Sequence, residues 1–145
     1  MESPGYAGDV SVHDAWSAIA ADAKAQIVDV RSAAEWAFVG VPDLSTADRE
    51  IHLVEWQNYP SGSIDPDFAE KAGRVLRETG AGMDTPVFFL CRSGARSRAA
   101  ATAMTKAGWS RAYNIAGGFE GDLDDERHRG GRSGWKAAGL PWRQT

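Results

Sequence analysis

The chain has one cysteine among 145 residues, and it sits in unusual company. Cys91 ends the apolar run "VFFL" and is followed at once by Arg92, Ser93, Gly94, Ala95, Arg96, Ser97 and Arg98. A cysteine kept for packing needs no arginines beside it. A cysteine meant to react does, because the thiolate, not the thiol, is the nucleophile. A strand running into a glycine-containing loop and then a helix supplies what a thiolate needs. Helix N-termini carry unpaired N–H groups and partial positive charge, and a tight loop turns further N–H groups inward as an anion nest. The expected nucleophile is therefore Cys91. The expected anion-binding loop is Arg92, Ser93, Gly94, Ala95, Arg96 and Ser97. Arg96 closes this loop and starts beside the anion, whereas Arg98 falls in the first helical turn, where a side chain commonly points to solvent.

Other chemistries find less support. Zinc sites need several Cys or His ligands at suitable spacing, and His13, His52 and His128 are scattered along the chain. A papain-like Cys–His pair stays open, although nothing marks any of these histidines as a base. The run "GGFEG" at 117–121 is not GxGxxG, and GxxxxGK[ST] is absent, so nucleotide binding has no motif. A net charge of −4 speaks against a nucleic-acid binder that works by bulk charge. No apolar run approaches the ~18–20 residues of a membrane span. The opening "MESPGYAGDVS" lacks the basic and apolar regions of a secretory signal. With one free cysteine, a reducing cytoplasmic setting is expected.

The elements that must position Cys91 alternate between strand and helix. Ser11 caps a first helix with Val12, Trp16, Ile19 and Ala20 on one face. "QIVDV" at 26–30 reads as a buried strand, and "IHLVEW" at 51–56 as a second. Residues 31–50 mix turn signals with Trp36 and Phe38. Asp65 caps and Pro66 starts a helix, with Phe68, Ala72, Val75 and Leu76 inward and Gly80 at its end. "TPVFFL" at 85–90 is the most apolar strand. A helix follows over about 97–107, with Ala99, Ala100, Ala103, Met104 and Ala107 inward and Gly108 as its stop. "AYNI" at 112–115 is a last strand, after which Gly117 and Gly118 turn the chain. Residues 120–134 have five acids, four basic side chains and four glycines, and so read as an exposed loop or frayed helix. A short helix or tail follows, anchored by Trp135 and Trp142. Alternating strands and helices imply an α/β domain with a mainly parallel sheet, whose ligands lie beyond the carboxyl ends of the strands. Cys91 stands at such an end.

Together these residues resemble a single-domain rhodanese, a sulfurtransferase, over about 12–142. "VDVR" at 28–31, with Glu35-Trp36 following, looks like the family's first-strand signature. "VGVPDL" at 39–44 looks like its "GHIPGA" turn. "CRSGARS" at 91–97 matches its active-site loop, the most specific of these motifs. "NIAGG" at 114–118 and the closing "GW..AGLP" match its C-terminal half. The resemblance implies one rhodanese-like domain over 1–145, a parallel sheet with helices on both faces, and 120–134 as a loop or flap. It implies that Cys91 takes a sulfane sulfur from a donor such as thiosulfate, holds it as a persulfide, and passes it to cyanide or a thiol, including a protein thiol. Asp29 and Arg31 would support the loop or border the site; a plain strand-end ion pair is the other reading. Neither cofactor nor metal, nucleic acid nor membrane, is called for. The chain departs from the family at Val41, where a His is common, at Arg92, Ser93 and Ala95, where Lys or a second cysteine occurs in some members, and in the length of 120–134.

Three other readings use the same residues. Dual-specificity phosphatases of this fold use C-x5-R, but the sixth position after Cys91 is Ser97, and Arg96 comes one residue early. Arsenate reductases use a short loop together with a reductant thiol elsewhere. From another class, the domain would be a persulfide carrier or an interaction module without fast turnover; the intact cysteine speaks against an idle module.

Overall fold

Ile27 and Val28 are neighbours in the chain but feed different apolar clusters. Successive strand side chains point to opposite faces, so this strand, buried at all four positions, is covered on both. The computed structural model describes residues 5–144. Residues 1–4 and 145, counted with the domain and with the opening stretch on sequence, lie outside the described residues.

The central sheet has five strands, all parallel: β1 (Gly8–Val10), β2 (Gln26–Asp29), β4 (His52–Leu53), β5 (Val87–Leu90) and β6 (Ala112–Ile115), in the order β1-β6-β5-β2-β4. β5 lies at the centre, with Phe88 beside Ile27 on β2 and Tyr113 on β6. On one face, Val28, Val87 and Phe89 meet α3 (Phe68–Glu78) and α4 (Ala95–Lys106) through Phe68, Ala72, Leu76, Ala100, Ala101 and Met104. On the other, Ile27, Phe88, Leu90 and Ile115 meet α1 (Val12–Ala21) and α5 (Gly134–Ala137) through Val12, Ala15, Ile19 and Trp135. The fold is thus the rhodanese-like α/β arrangement expected, with a parallel sheet and helices on both faces. A two-stranded antiparallel pair, β3 (Val41–Pro42) with β7 (Trp142–Arg143), ties the C-terminus back across the turn at 40–42. Among the described residues no helix is long and apolar enough to cross a membrane.

Local chemistry explains the boundaries. The Ser11 hydroxyl accepts from the Asp14 N–H at 3.0 Å and caps α1 as expected. Ala15 is buried and Ala20 exposed, so the inward face of α1 is rotated from the expected one. α3 starts at Phe68 rather than Pro66, because Asp65 spends its carboxylate on the Asp67 N–H at 2.8 Å and its carbonyl on Phe68, closing a turn ahead of the helix. α4 starts at Ala95 rather than Ser97, since Gly94, at φ +120°, reverses the chain directly into it. Its buried side chains are Ser97, Ala100, Ala101 and Met104, whereas Ala99 and Ala107 are exposed. The stretch 31–50 holds a helix that turn signals concealed, α2 (Ala33–Val39), opened by a capping box between Ser32 and Glu35. The second strand is only His52–Leu53.

Candidate active site

Cys91 lies one residue beyond β5 and is 1% exposed. Two donors reach its sulfur: the Gly94 N–H at 3.1 Å and the Ser97 hydroxyl at 3.2 Å. The expected nest of several N–H groups is therefore, at Sγ, one amide and one hydroxyl. Ser97 is held in turn. Its Oγ lies 2.5 Å from Asn114 Oδ1 and 3.2 Å from the Gly94 carbonyl, and Asn114 Nδ2 donates to Asp9 Oδ1 at 2.9 Å. One hydroxyl hydrogen serves several acceptors, so Ser97 can turn its O–H onto a sulfur anion without moving its oxygen.

The turn after β6 grips the loop from behind. The Phe119 N–H donates to the Cys91 carbonyl at 2.8 Å, and the N–H groups of Glu120 and Gly121 both donate to the Arg92 carbonyl at 3.0 Å. Gly118 makes this approach possible: at φ +66°, a Cβ there would stand 2.5 Å from the carbonyl oxygens of Cys91 and Arg92.

The cationic side chains differ from one another. Arg92 is exposed and lines a cavity of about 750 Å³. Arg96 lines the same cavity but is engaged: Nη1 and Nη2 donate to Glu35 Oε1 and Oε2 at 2.7 and 2.9 Å. Burial pushes the Glu35 carboxyl up, but hydrogen bonds from Arg96 and Ser32 outweigh it and hold the group down at about 2. Arg98 is exposed, as expected. Ser93 is half-buried and Ala95 exposed. The same cavity is lined by Phe38 and Tyr59, 82% and 73% exposed, and by Glu120 and Arg129.

Asp29 and Arg31 form a fully buried ion pair of 2.6 Å. Arg31 also donates to the Gly40 carbonyl at 2.8 Å and lies 4.2 Å above the Phe119 ring. Like Cys91, Gly94 and Ser97, they do not line this cavity; they brace the 40–42 turn and the segment behind Cys91. Sequence reasoning passed over Glu35 as a partner of Arg96, Asn114 as a partner of Ser97, and Arg129 altogether. Only the first left a local signal, the S-x-x-E spacing of Ser32 and Glu35.

Comparison with known proteins finds relatives that span most of the chain. A family model described as the STR4 middle domain matches residues 7–145. The uncharacterized protein RP600 of Rickettsia prowazekii is 37% identical over 116 residues, 80% of either chain. The thiosulfate sulfurtransferase GlpE of Actinobacillus pleuropneumoniae is 26% identical over 133 residues, 92% of this chain and 90% of its own. The crystal structure of Rv0390 from M. tuberculosis matches with a TM-score of 0.83 at 47% identity, covering 97% of this chain and 99% of its own. The solution structure of the polysulfide-sulfur transferase homodimer from Wolinella succinogenes shares the fold, with a TM-score of 0.59 at 19% identity over 94% of this chain and 78% of its own.

Proposed function

The chain belongs to the family described as the STR4 middle domain, and from that premise we propose that it is a rhodanese, a sulfurtransferase carrying a sulfane sulfur on Cys91. The observation that carries the reading is the pair of donors on Sγ, the Gly94 N–H and the Ser97 O–H, at the mouth of a parallel sheet. The Cys91 thiolate attacks the outer sulfur of thiosulfate. A Cys91–sulfur bond forms, the sulfur–sulfonate bond breaks, and sulfite leaves with the bonding pair. Cyanide or a thiolate then takes the outer sulfur of the persulfide, and the Cys91 thiolate returns. The sulfur moves without net oxidation or reduction, so no cofactor enters. Donors aimed at a sulfur anion, with cations beside the departing sulfite, lower such a barrier by electrostatics.

The loop Arg92–Ser97 holds donor and persulfide, and Asp29 with Arg31 stiffens its support. The chain works as one domain, with 120–134 as a flap at the cavity rim, in the reducing cytoplasm, where a free cysteine persists. A phosphatase of this fold needs an arginine where Ser97 stands. That position is buried here and its hydroxyl faces Sγ, so negligible cleavage of p-nitrophenyl phosphate is expected.

The test is intact mass after incubation with thiosulfate in the absence of reductant. Wild type is expected to gain one sulfur atom and release it on addition of cyanide. Cys91→Ser is expected to gain none, with its melting curve preserved. Sulfur gained and not released to cyanide or to thiols would favour the carrier reading; no gain in wild type would end both.

A further inference from the structure

Two cavity-lining arginines, Arg92 and Arg129, have no carboxylate partner among the described residues. Arg96, the third, is spent on Glu35. Arg129 belongs to the 120–134 loop, which has no helix or strand before Gly134 yet is not shapeless. The Asp124 carboxylate accepts the N–H groups of Glu126 and His128 at 2.9 and 2.8 Å, and the Asp124 N–H donates to the His128 carbonyl at 2.8 Å. This closed turn delivers Arg129 back to the base of the loop. There its Nη1 donates to the Gly121 carbonyl at 2.6 Å, and Gly121 in turn donates to the Arg92 carbonyl. The Arg129 guanidinium is thus tied, through one residue, to the loop that holds Cys91. It is half-buried, whereas Arg127 and Arg132 of the same loop are exposed and Arg132 is paired with Asp125. Anchoring one N–H of a guanidinium leaves four for a ligand.

We propose that Arg129 joins Arg92 as a two-guanidinium seat for the sulfonate end of a dianionic sulfur donor, which rests on the sulfurtransferase reading above. Arg96 then serves as a cation fixed in place by Glu35 rather than as one free to follow the donor. Glu120 lines the same cavity, and its carboxylate also acts on Lys136. Once Arg96 and Glu35 are set against each other, the lining keeps two cations against one acid. The seat therefore favours a dianion over a monoanion, and Glu120 limits how tightly sulfite, the departing product, is retained.

The experiment compares thiosulfate, a dianion, with methanethiosulfonate, a monoanion that donates the same sulfane sulfur. Arg129→Ala is expected to raise the KM for thiosulfate about tenfold, the scale of one lost charged hydrogen-bond pair, with kcat little changed and a smaller rise for the monoanion. Arg129→Lys is expected to recover part of the loss, Glu120→Gln to lower the KM, and Arg132→Ala to behave as wild type. An unchanged KM in Arg129→Ala, or equal losses for both donors, would overturn the proposal. Calorimetric binding of sulfite to Cys91→Ser and to Cys91→Ser/Arg129→Ala separates the two claims. Loss of sulfite affinity without Arg129 supports the seat even if wild type transfers no sulfur; equal affinity refutes it even if transfer is fast.

Discussion

Arg96 meets both carboxylate oxygens of Glu35, from 61 positions away, at 2.7 and 2.9 Å. The pair joins the start of α4, beside Cys91, to the first turn of α2, whose capping box uses the same Glu35. The Glu35 carboxyl titrates at about 2 in the fold, against 4.5 ordinarily. A carboxyl pKa lowered by folding adds stability that is complete above the unfolded value and lost as pH falls through the folded one. The contribution is therefore full above about pH 4.5 and disappears toward pH 2. Glu35→Gln keeps an oxygen for the Ser32 N–H but drops the charge, and is expected to cost about 1–3 kcal/mol at pH 7. Urea unfolding of wild type and variant at stepped pH checks this. The gap is expected to close as pH falls below 4, and a gap constant from pH 7 to pH 3 would contradict it.

Gly118→Ala is expected to damage stability and sulfur transfer together. A Cβ at this φ of +66° would enter two backbone carbonyls at 2.5 Å, and neither can swing aside as a side chain would. The lesion lies where the β6 turn holds the Cys91 and Arg92 carbonyls, so the loop must shift for the methyl to fit. A loss on the order of 2 kcal/mol or more is expected from strain and overpacking, read by urea midpoint, along with a fall in kcat/KM. Gly139→Ala is the matched control: its φ is also positive, at +75°, but a Cβ there meets nothing within 4 Å. Equal effects at the two positions would mean that backbone conformation alone, not the approach to Cys91, explains Gly118.

The strands that carry the site were legible from their short apolar and β-branched runs: "VFFL" is wholly apolar, "QIVD" and "AYNI" keep apolar residues on both faces beside Gln26, Asp29 and Asn114, and each is a strand. What stayed hidden has little apolar signal of its own. Gly8–Val10 is a strand through its pairing with Tyr113–Ile115, and Val41–Pro42 is one because Trp142–Arg143 returns to it. α2 buries none of its residues, so hydrophobic period could not reveal it. The alanine-rich α4 shows so little contrast between faces that, of its expected inward residues, only Ala100 and Met104 are buried. At the site, the loop from Cys91 to Ser97 is contiguous and could be read directly. Glu35, Asn114 and Arg129 come from other segments, and only the fold brings them to it.

Amide exchange along 120–134 tests how far this loop is built. Composition alone predicts fast exchange throughout, since the segment buries little apolar area. The hydrogen bonds predict a pattern instead. Glu120 and Gly121 donate to Arg92, and Gly130 donates to the Glu120 carbonyl at 2.7 Å, so these amides are expected to be protected. Leu123, Asp125 and Arg132 have no amide partner among the described residues and are expected to exchange fast. Uniformly fast exchange would detach Arg129 from the cavity and remove the basis for its role.

Arg96 is expected to matter more to sulfur transfer than Arg98, although both lie just beyond Gly94. Arg96 lines the cavity and is locked to Glu35, while Arg98 is exposed on the first turn of α4. Removing Arg96 does two things at once. It takes a cation from beside the departing sulfite, and it leaves Glu35 as an uncompensated acid facing an anionic donor. The expected cost in kcat/KM for thiosulfate is on the order of 2–4 kcal/mol, the scale of a lost electrostatic donor. Arg98→Ala is expected to match wild type. The double variant Glu35→Gln/Arg96→Ala separates the two causes, because it removes the cation without exposing the acid. Its activity is expected to lie between that of Arg96→Ala and that of Glu35→Gln, with thermal stability measured in every variant so that unfolding is not read as lost chemistry. If Arg98→Ala costs as much as Arg96→Ala, the arginine that faces the sulfur chemistry has been misassigned. If the double variant is no better than Arg96→Ala, the freed Glu35 charge plays no part in the loss.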